Sequence, residues 1–95
     1  MTELDKLEKY LYDNDIPYER IIYGERNQIA VPVLPEHGKT KWDAICQQGS
    51  YGYEEDLLEI MGELVDEEKD GDSVVGYLTA EEVIQRLKAC HGKVE

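Results

Sequence analysis

The sequence predicts a single α+β domain spanning residues 1–95, with a three-stranded antiparallel sheet, helices packed on one face, and the order α-β-β-β-α-α. Three observations carry this prediction. Apolar residues recur at helical spacing near both ends and over residues 57–65, alternation of period two runs between residues 18 and 47, and the strand connections are short enough to require antiparallel neighbours. Ninety-five residues suffice for one hydrophobic core and are too few for two.

Thr2 followed by Asp5 opens the first helix, and Leu4, Leu7, Tyr10 and Leu11 line one side of it to about Tyr12. Asp13, Asn14 and Asp15 compete for backbone hydrogen bonds and Pro17 bars continuation, so the helix stops there. Tyr18 to Tyr23 is rich in β-favouring side chains and ends at a turn, Gly24-Glu25-Arg26-Asn27. Ile29, Val31 and Val33 alternate in a second strand, where Pro32 predicts an edge position or a bulge. Pro35 to Gly38 reverses the chain into a third strand, Thr40 to Gln47. Trp42, Ala44 and Cys46 share one face of this strand, and Trp42 is the expected core anchor.

Leu57, Leu58, Ile60, Met61, Leu64 and Val65 fit the apolar stripe of a second helix with an acidic outer face. Asp66 to Ser73 reads as a loop, and Val74 to Tyr77 as a short strand or an extended connector. Thr79 and Glu82 form a capping box for the third helix, whose apolar side is Ala80, Val83, Ile84, Leu87 and Cys90 and whose end is Gly92.

Composition restricts function more than it identifies it. At 41% hydrophobic with patterned apolar runs, the chain reads as folded and soluble, without a bilayer-spanning stretch or a signal peptide, which places it in the cytoplasm. Cys46 and Cys90, 44 residues apart, then read as reduced thiols. A net charge of −12 argues against direct binding to nucleic acid or anionic membranes and favours a basic partner.

The phrases Trp42-Asp-Ala-Ile-Cys-Gln, Gly49-Ser-Tyr-Gly-Tyr-Glu-Glu, Leu57-Leu-Glu-Ile-Met-Gly and Asp72-Ser-Val-Val-Gly-Tyr-Leu-Thr-Ala-Glu-Glu-Val-Ile resemble small acidic proteins encoded by phages and prophages of Gram-positive bacteria. The resemblance covers most of the chain and implies a small accessory protein acting on a host or phage factor. It transfers no site residues.

The charge is concentrated. Residues 51–72 hold ten acids and one base, Lys69, and together contribute −9 of the −12. On the expected helix Glu55, Glu59 and Glu63 form a column about 6 Å apart, each like-charged pair costing roughly 0.2–0.5 kcal/mol. Asp66 and Glu67 would then sit at the unfavourable negative end of the helix dipole. A solvated face accounts for acids that merely maintain solubility, whereas this placement suggests a surface for a basic protein. In its sharpest form, that surface imitates the charge of DNA and inhibits a nucleic-acid-binding protein. Tyr51 and Tyr53, flanking Gly52 beside the acids, are the expected aromatic part of the surface.

Other chemistries fit less well. Asp66, Glu68, Asp70, Gly71 and Asp72 match the first half of a calcium loop, but Tyr77 stands where the bidentate Glu belongs, which leaves at most a weak cation-binding module. His37, His91, Cys46 and Cys90 lack zinc-ligand spacing. A nucleophilic set of Cys46, Asp43 and a histidine has no supporting motif. A metal-dependent, nuclease-like centre using Asp43 with Lys39 or Lys41 lacks a second strand acid. The expectation is a non-enzymatic binding protein without cofactor or metal.

Overall fold

The computed structural model describes residues 1–32 and 40–93, with residues 32, 40 and 91–93 described by their backbone alone. Its elements are α1 (Glu3–Asp13), β1 (Glu19–Tyr23), β2 (Arg26–Pro32), β3 (Thr40–Ile45), a 3-10 turn (Tyr53–Glu55), β4 (Leu58–Gly62), α2 (Glu67–Asp70), β5 (Val74–Leu78) and α3 (Ala80–Lys93). The α+β class is as expected, but the sheet has five strands, in the sequential antiparallel order β1-β2-β3-β4-β5. Helix α3 continues past Gly92 to Lys93. The expected contribution of Val33 and the turn at Pro35 to Gly38 lie outside the described residues.

The principal correction falls on residues 57–65, where a strand replaces the expected second helix. Leu58 and Ile60 are fully buried while Glu59 is half-buried and Met61 is 48% exposed, the alternation of a strand. The same residues satisfy helical spacing, so tertiary pairing decides: Trp42, Asp43, Ala44 and Ile45 of β3 find partners in Gly62, Met61, Ile60 and Glu59. Gly62 ends the strand at φ 102°, and a β-carbon there would come within 2.6 Å of the Lys41 carbonyl oxygen, so this close approach to β3 requires glycine.

Pro32 lies in β2, between β1 and β3, with a register shift between Val31 and Pro32. The shift is the expected bulge, and because the pairing of β1 with β2 ends at Glu19–Ala30, Pro32 has no partner on the β1 side and also lies at a local edge. The edges of the sheet are β1 and β5.

Helices α1 and α3 cover one face. Leu4, Leu7 and Leu11 of α1 and Ala80, Val83, Ile84 and Leu87 of α3 meet Ile29, Val31, Trp42, Ala44, Cys46, Leu58, Ile60 and Leu78 of the sheet side in one apolar cluster. Each fully buried leucine contributes roughly 1.5–3 kcal/mol through apolar area removed from water. Both helix starts are closed as the sequence predicted. Thr2 and Asp5 form a reciprocal capping box, and Thr79 and Glu82 exchange the equivalent bonds. Helix α2 is a single turn with no buried residue, tied to α3 by a bidentate Asp70–Arg86 pair at 3.0 and 3.1 Å.

Candidate functional site

Between β3 and β4 the chain makes a tightly bonded loop. Ser50 donates its hydroxyl to the Gln47 carbonyl and accepts the Gln47 N–H, Tyr53 donates its N–H to Ser50, and Leu57 donates to Gly52. The loop is also fastened to its surroundings. Tyr51 donates its N–H to Oε1 of Glu59 at 2.9 Å, and its carbonyl accepts the Tyr77 N–H at 3.2 Å. On its far side, Asp56 accepts the Glu3 N–H at 3.2 Å, and Glu3 in turn accepts the Ala80 N–H at 2.7 Å. The loop is thus joined to the starts of both long helices.

Tyr77 reaches this loop because β5 is irregular. Leu58 pairs with Leu78 and Ile60 with Val75, so Gly76 and Tyr77 together face Glu59 in a β-bulge. Tyr77 sits at φ 60°, a left-handed conformation costing a non-glycine residue roughly 1–2 kcal/mol. Its ring stacks on Tyr51 with centroids 6.4 Å apart and planes at 24°. The close approach depends on Gly76, where any β-carbon would collide with Cβ of Tyr51.

Three tyrosines are therefore held at the surface, with Tyr51, Tyr53 and Tyr77 being 58%, 45% and 59% exposed. Glu54 and Glu55 follow them in the 3-10 turn, both exposed, and line a shallow depression with Gln48, Ser50, Tyr53 and Tyr77. The depression sets Tyr53 and Tyr77 beside Glu54 and Glu55, and aromatic rings with carboxylates are a combination that suits a guanidinium or ammonium.

The expected carboxylate column does not form. Glu55 lies in the 3-10 turn, Glu59 on β4, and Glu63 just beyond the strand with a carboxylate oxygen 3.8 Å from Nζ of Lys41. At roughly 3.3 Å per residue, the strand from Glu59 to Gly62 alone spans about 10 Å, already more than the helical spacing expected between Glu59 and Glu63. The electrostatic oddity assigned to Asp66 and Glu67 is reversed as well. Asp66 is the N-cap of α2, accepting the N–H groups of Glu68 and Lys69, and Glu67 is its first residue, so both occupy the favourable positive end.

Of the expected surface, Tyr51, Tyr53, Glu55 and Glu59 are brought together, while Glu63, Asp66 and Glu67 lie at the other end of β4. Tyr77 and Glu54 complete the first group. Nothing in the spacing of Tyr77 pointed there, because its position depends on the bulge.

The other chemistries find different geometry. In the segment matched to a calcium loop, Asp66 caps α2, Asp70 is engaged by Arg86, and Asp72 accepts the Ser73 N–H, so these carboxylates do not surround a common point. Among the described residues no three His, Cys, Asp or Glu side chains converge as metal ligands. Cys46 is 7% exposed, and burial together with the neighbouring Asp56 carboxylate pushes its thiol up, away from the thiolate a nucleophile needs. Asp43 lies on the open sheet face beside Ala30 and Met61, with Nε2 of Gln28 donating to it at 2.6 Å. Burial raises its pKa, with Glu59 adding to the effect. Lys41 follows the same strand face but is directed to Glu63. His37 and Lys39 lie outside the described residues.

No helix among the described residues is long and apolar enough to cross a membrane. Comparison of the chain with models of protein families, with curated proteins and with solved structures gave no match.

Proposed function

We propose that this chain is a small non-enzymatic binding protein of phage type that engages a basic protein surface through the loop between β3 and β4. The observation carrying the reading is the convergence of Tyr51, Tyr53 and Tyr77 with Glu54, Glu55 and Glu59 on a backbone fastened at Glu59, Tyr77 and Glu3. A loop held in its bound shape loses little entropy on association, so exposed tyrosines on it are effective anchors. Regular spacing of carboxylates plays no part, since the column on which DNA imitation rested is absent. The phage setting rests on the phrases of sequence given above.

Titration with an arginine-rich peptide by calorimetry tests the proposal. Affinity is expected to fall steeply as salt rises. The double variant Glu54→Lys/Glu55→Lys and the single variant Tyr51→Ala should each weaken binding about tenfold or more, equivalent to roughly 1.4 kcal/mol. Glu67→Lys/Glu68→Lys changes net charge equally but lies at α2, and should bind nearly as wild type. Equal losses from the two double variants would reduce the effect to net charge and overturn the site.

A further inference from the structure

The surface between β3 and β4 has a charge and a shape that together narrow its partner. Its depression is lined by Gln48, Ser50, Tyr53, Glu54, Glu55 and Tyr77, so the only ionised groups facing it are carboxylates. Among the described residues those two carboxylates are uncommitted. The ion pairs take up Glu3, Asp5, Glu8, Asp13, Glu63 and Asp70 instead, and the nearby Glu59 carboxylate is occupied by the Tyr51 N–H.

The rings are set for a flat cation. Tyr77 lines the depression and Tyr51 does not, while the two stack with planes 24° apart and centroids at 6.4 Å. Tyr51 thus backs one face of Tyr77, and the opposite face is the one a ligand can cover. The backbones behind the rings are tied: Glu59 holds the Tyr51 N–H, the Tyr51 carbonyl holds the Tyr77 N–H, and Gly76 admits the close approach. Rings that recognise a quaternary ammonium surround it as a cage. Two nearly parallel rings stacked on each other form no cage and present a flat face.

We propose, resting on the reading of this loop as a surface for a basic partner, that the depression selects arginine over lysine. A guanidinium of the partner stacks on Tyr77 and donates its in-plane N–H groups to Glu54 or Glu55. The discrimination comes from shape and hydration. A guanidinium is planar and weakly hydrated, so it can lie on a ring while its donors fork onto a carboxylate. An ammonium is a compact, strongly hydrated point charge, which reaches the carboxylates but gains less from the ring. Attraction to the net charge of −12 is common to both cations and carries no preference.

Calorimetric titration of the full chain with two peptides of one sequence, their basic positions all arginine in one and all lysine in the other, tests this. At equal charge and salt the arginine peptide should bind roughly fivefold more tightly, the ratio that one exposed cation–π contact supplies. Both affinities should fall as salt rises while their ratio holds, because screening acts on the shared charge and not on stacking. Tyr77→Asn removes the ring with a residue that tolerates the left-handed backbone at φ 60°, and should bring the ratio near one. Tyr77→Phe, which returns a ring to that position, should restore it. If Tyr77→Asn fails to fold, wild type decides: methylguanidinium should displace the arginine peptide at lower concentration than methylammonium, and equal displacement overturns the selection. Equal affinity for the two peptides, with Glu54→Lys/Glu55→Lys still weakening both, overturns arginine selection and leaves the surface standing. Binding of neither peptide overturns both readings, and a ratio that survives Tyr77→Asn in a folded chain overturns stacking on Tyr77.

Discussion

Gly76 lies directly beneath Tyr51, and the absence of a side chain on the glycine lets the β3–β4 loop rest against β5. The loop and the bulge are thereby one unit: the Tyr51 carbonyl takes the Tyr77 N–H, and the two rings stack above it.

Gly76→Ala should displace that loop. Overpacking of this kind costs about 1–3 kcal/mol, measurable as a lowered midpoint in urea unfolding with unchanged slope. Because Tyr51 moves with the loop, arginine-rich peptide should bind more weakly to the folded variant as well. An alanine variant with wild-type stability and binding would show that the contact yields without consequence.

Asp70 supplies a pH dependence of known sign. The Arg86 guanidinium, followed by the Asp66 backbone, holds its carboxyl below the ordinary carboxylate value. Its stabilising effect is therefore complete above the unfolded pKa near 3.8 and is lost as pH falls through the lowered folded value. Thermal melts of wild type and Asp70→Asn should differ most near neutrality, wild type being the more stable, and converge toward about pH 2. A constant difference across that range would disconnect the Asp70–Arg86 pair from acid unfolding.

Asp43 should behave oppositely. Burial on the sheet face raises its pKa, so the folded state holds the proton more tightly than the unfolded chain. Stability from this group is present at low pH and declines as pH rises from the unfolded value of 3.8 through the raised folded value. Asp43→Asn keeps an acceptor for Gln28 and removes the buried charge. The variant should be more stable than wild type at neutral pH, with the advantage shrinking on acidification, as followed by chemical unfolding at several pH values.

The boundary between what was legible and what was not runs through particular residues. Thr2 with Asp5 and Thr79 with Glu82 announce helix starts because capping is local, involving residues three apart. Trp42, Ala44 and Cys46 mark a buried strand face because alternation along one strand is also local. Leu58 and Ile60 belong to one short apolar run that satisfies both helical and strand spacing, and pairing of β4 with β3 decides for the strand. The carboxylate column disappeared with that helix.

By itself, then, the sequence determined the α+β class, the two long helices with their caps, three of the strands, the acidic surplus and the nearness of Tyr51 and Tyr53 to it. Only the tertiary structure decided that residues 58–62 are a strand, that Asp66 caps a helix, that Tyr77 joins Tyr51, and that β1 is an edge. The physical reason is range. Caps and periodicity act within a few residues, whereas strand choice, bulge position and edge exposure depend on partners more than a dozen residues away whose contacts exist only once the sheet has closed on its core.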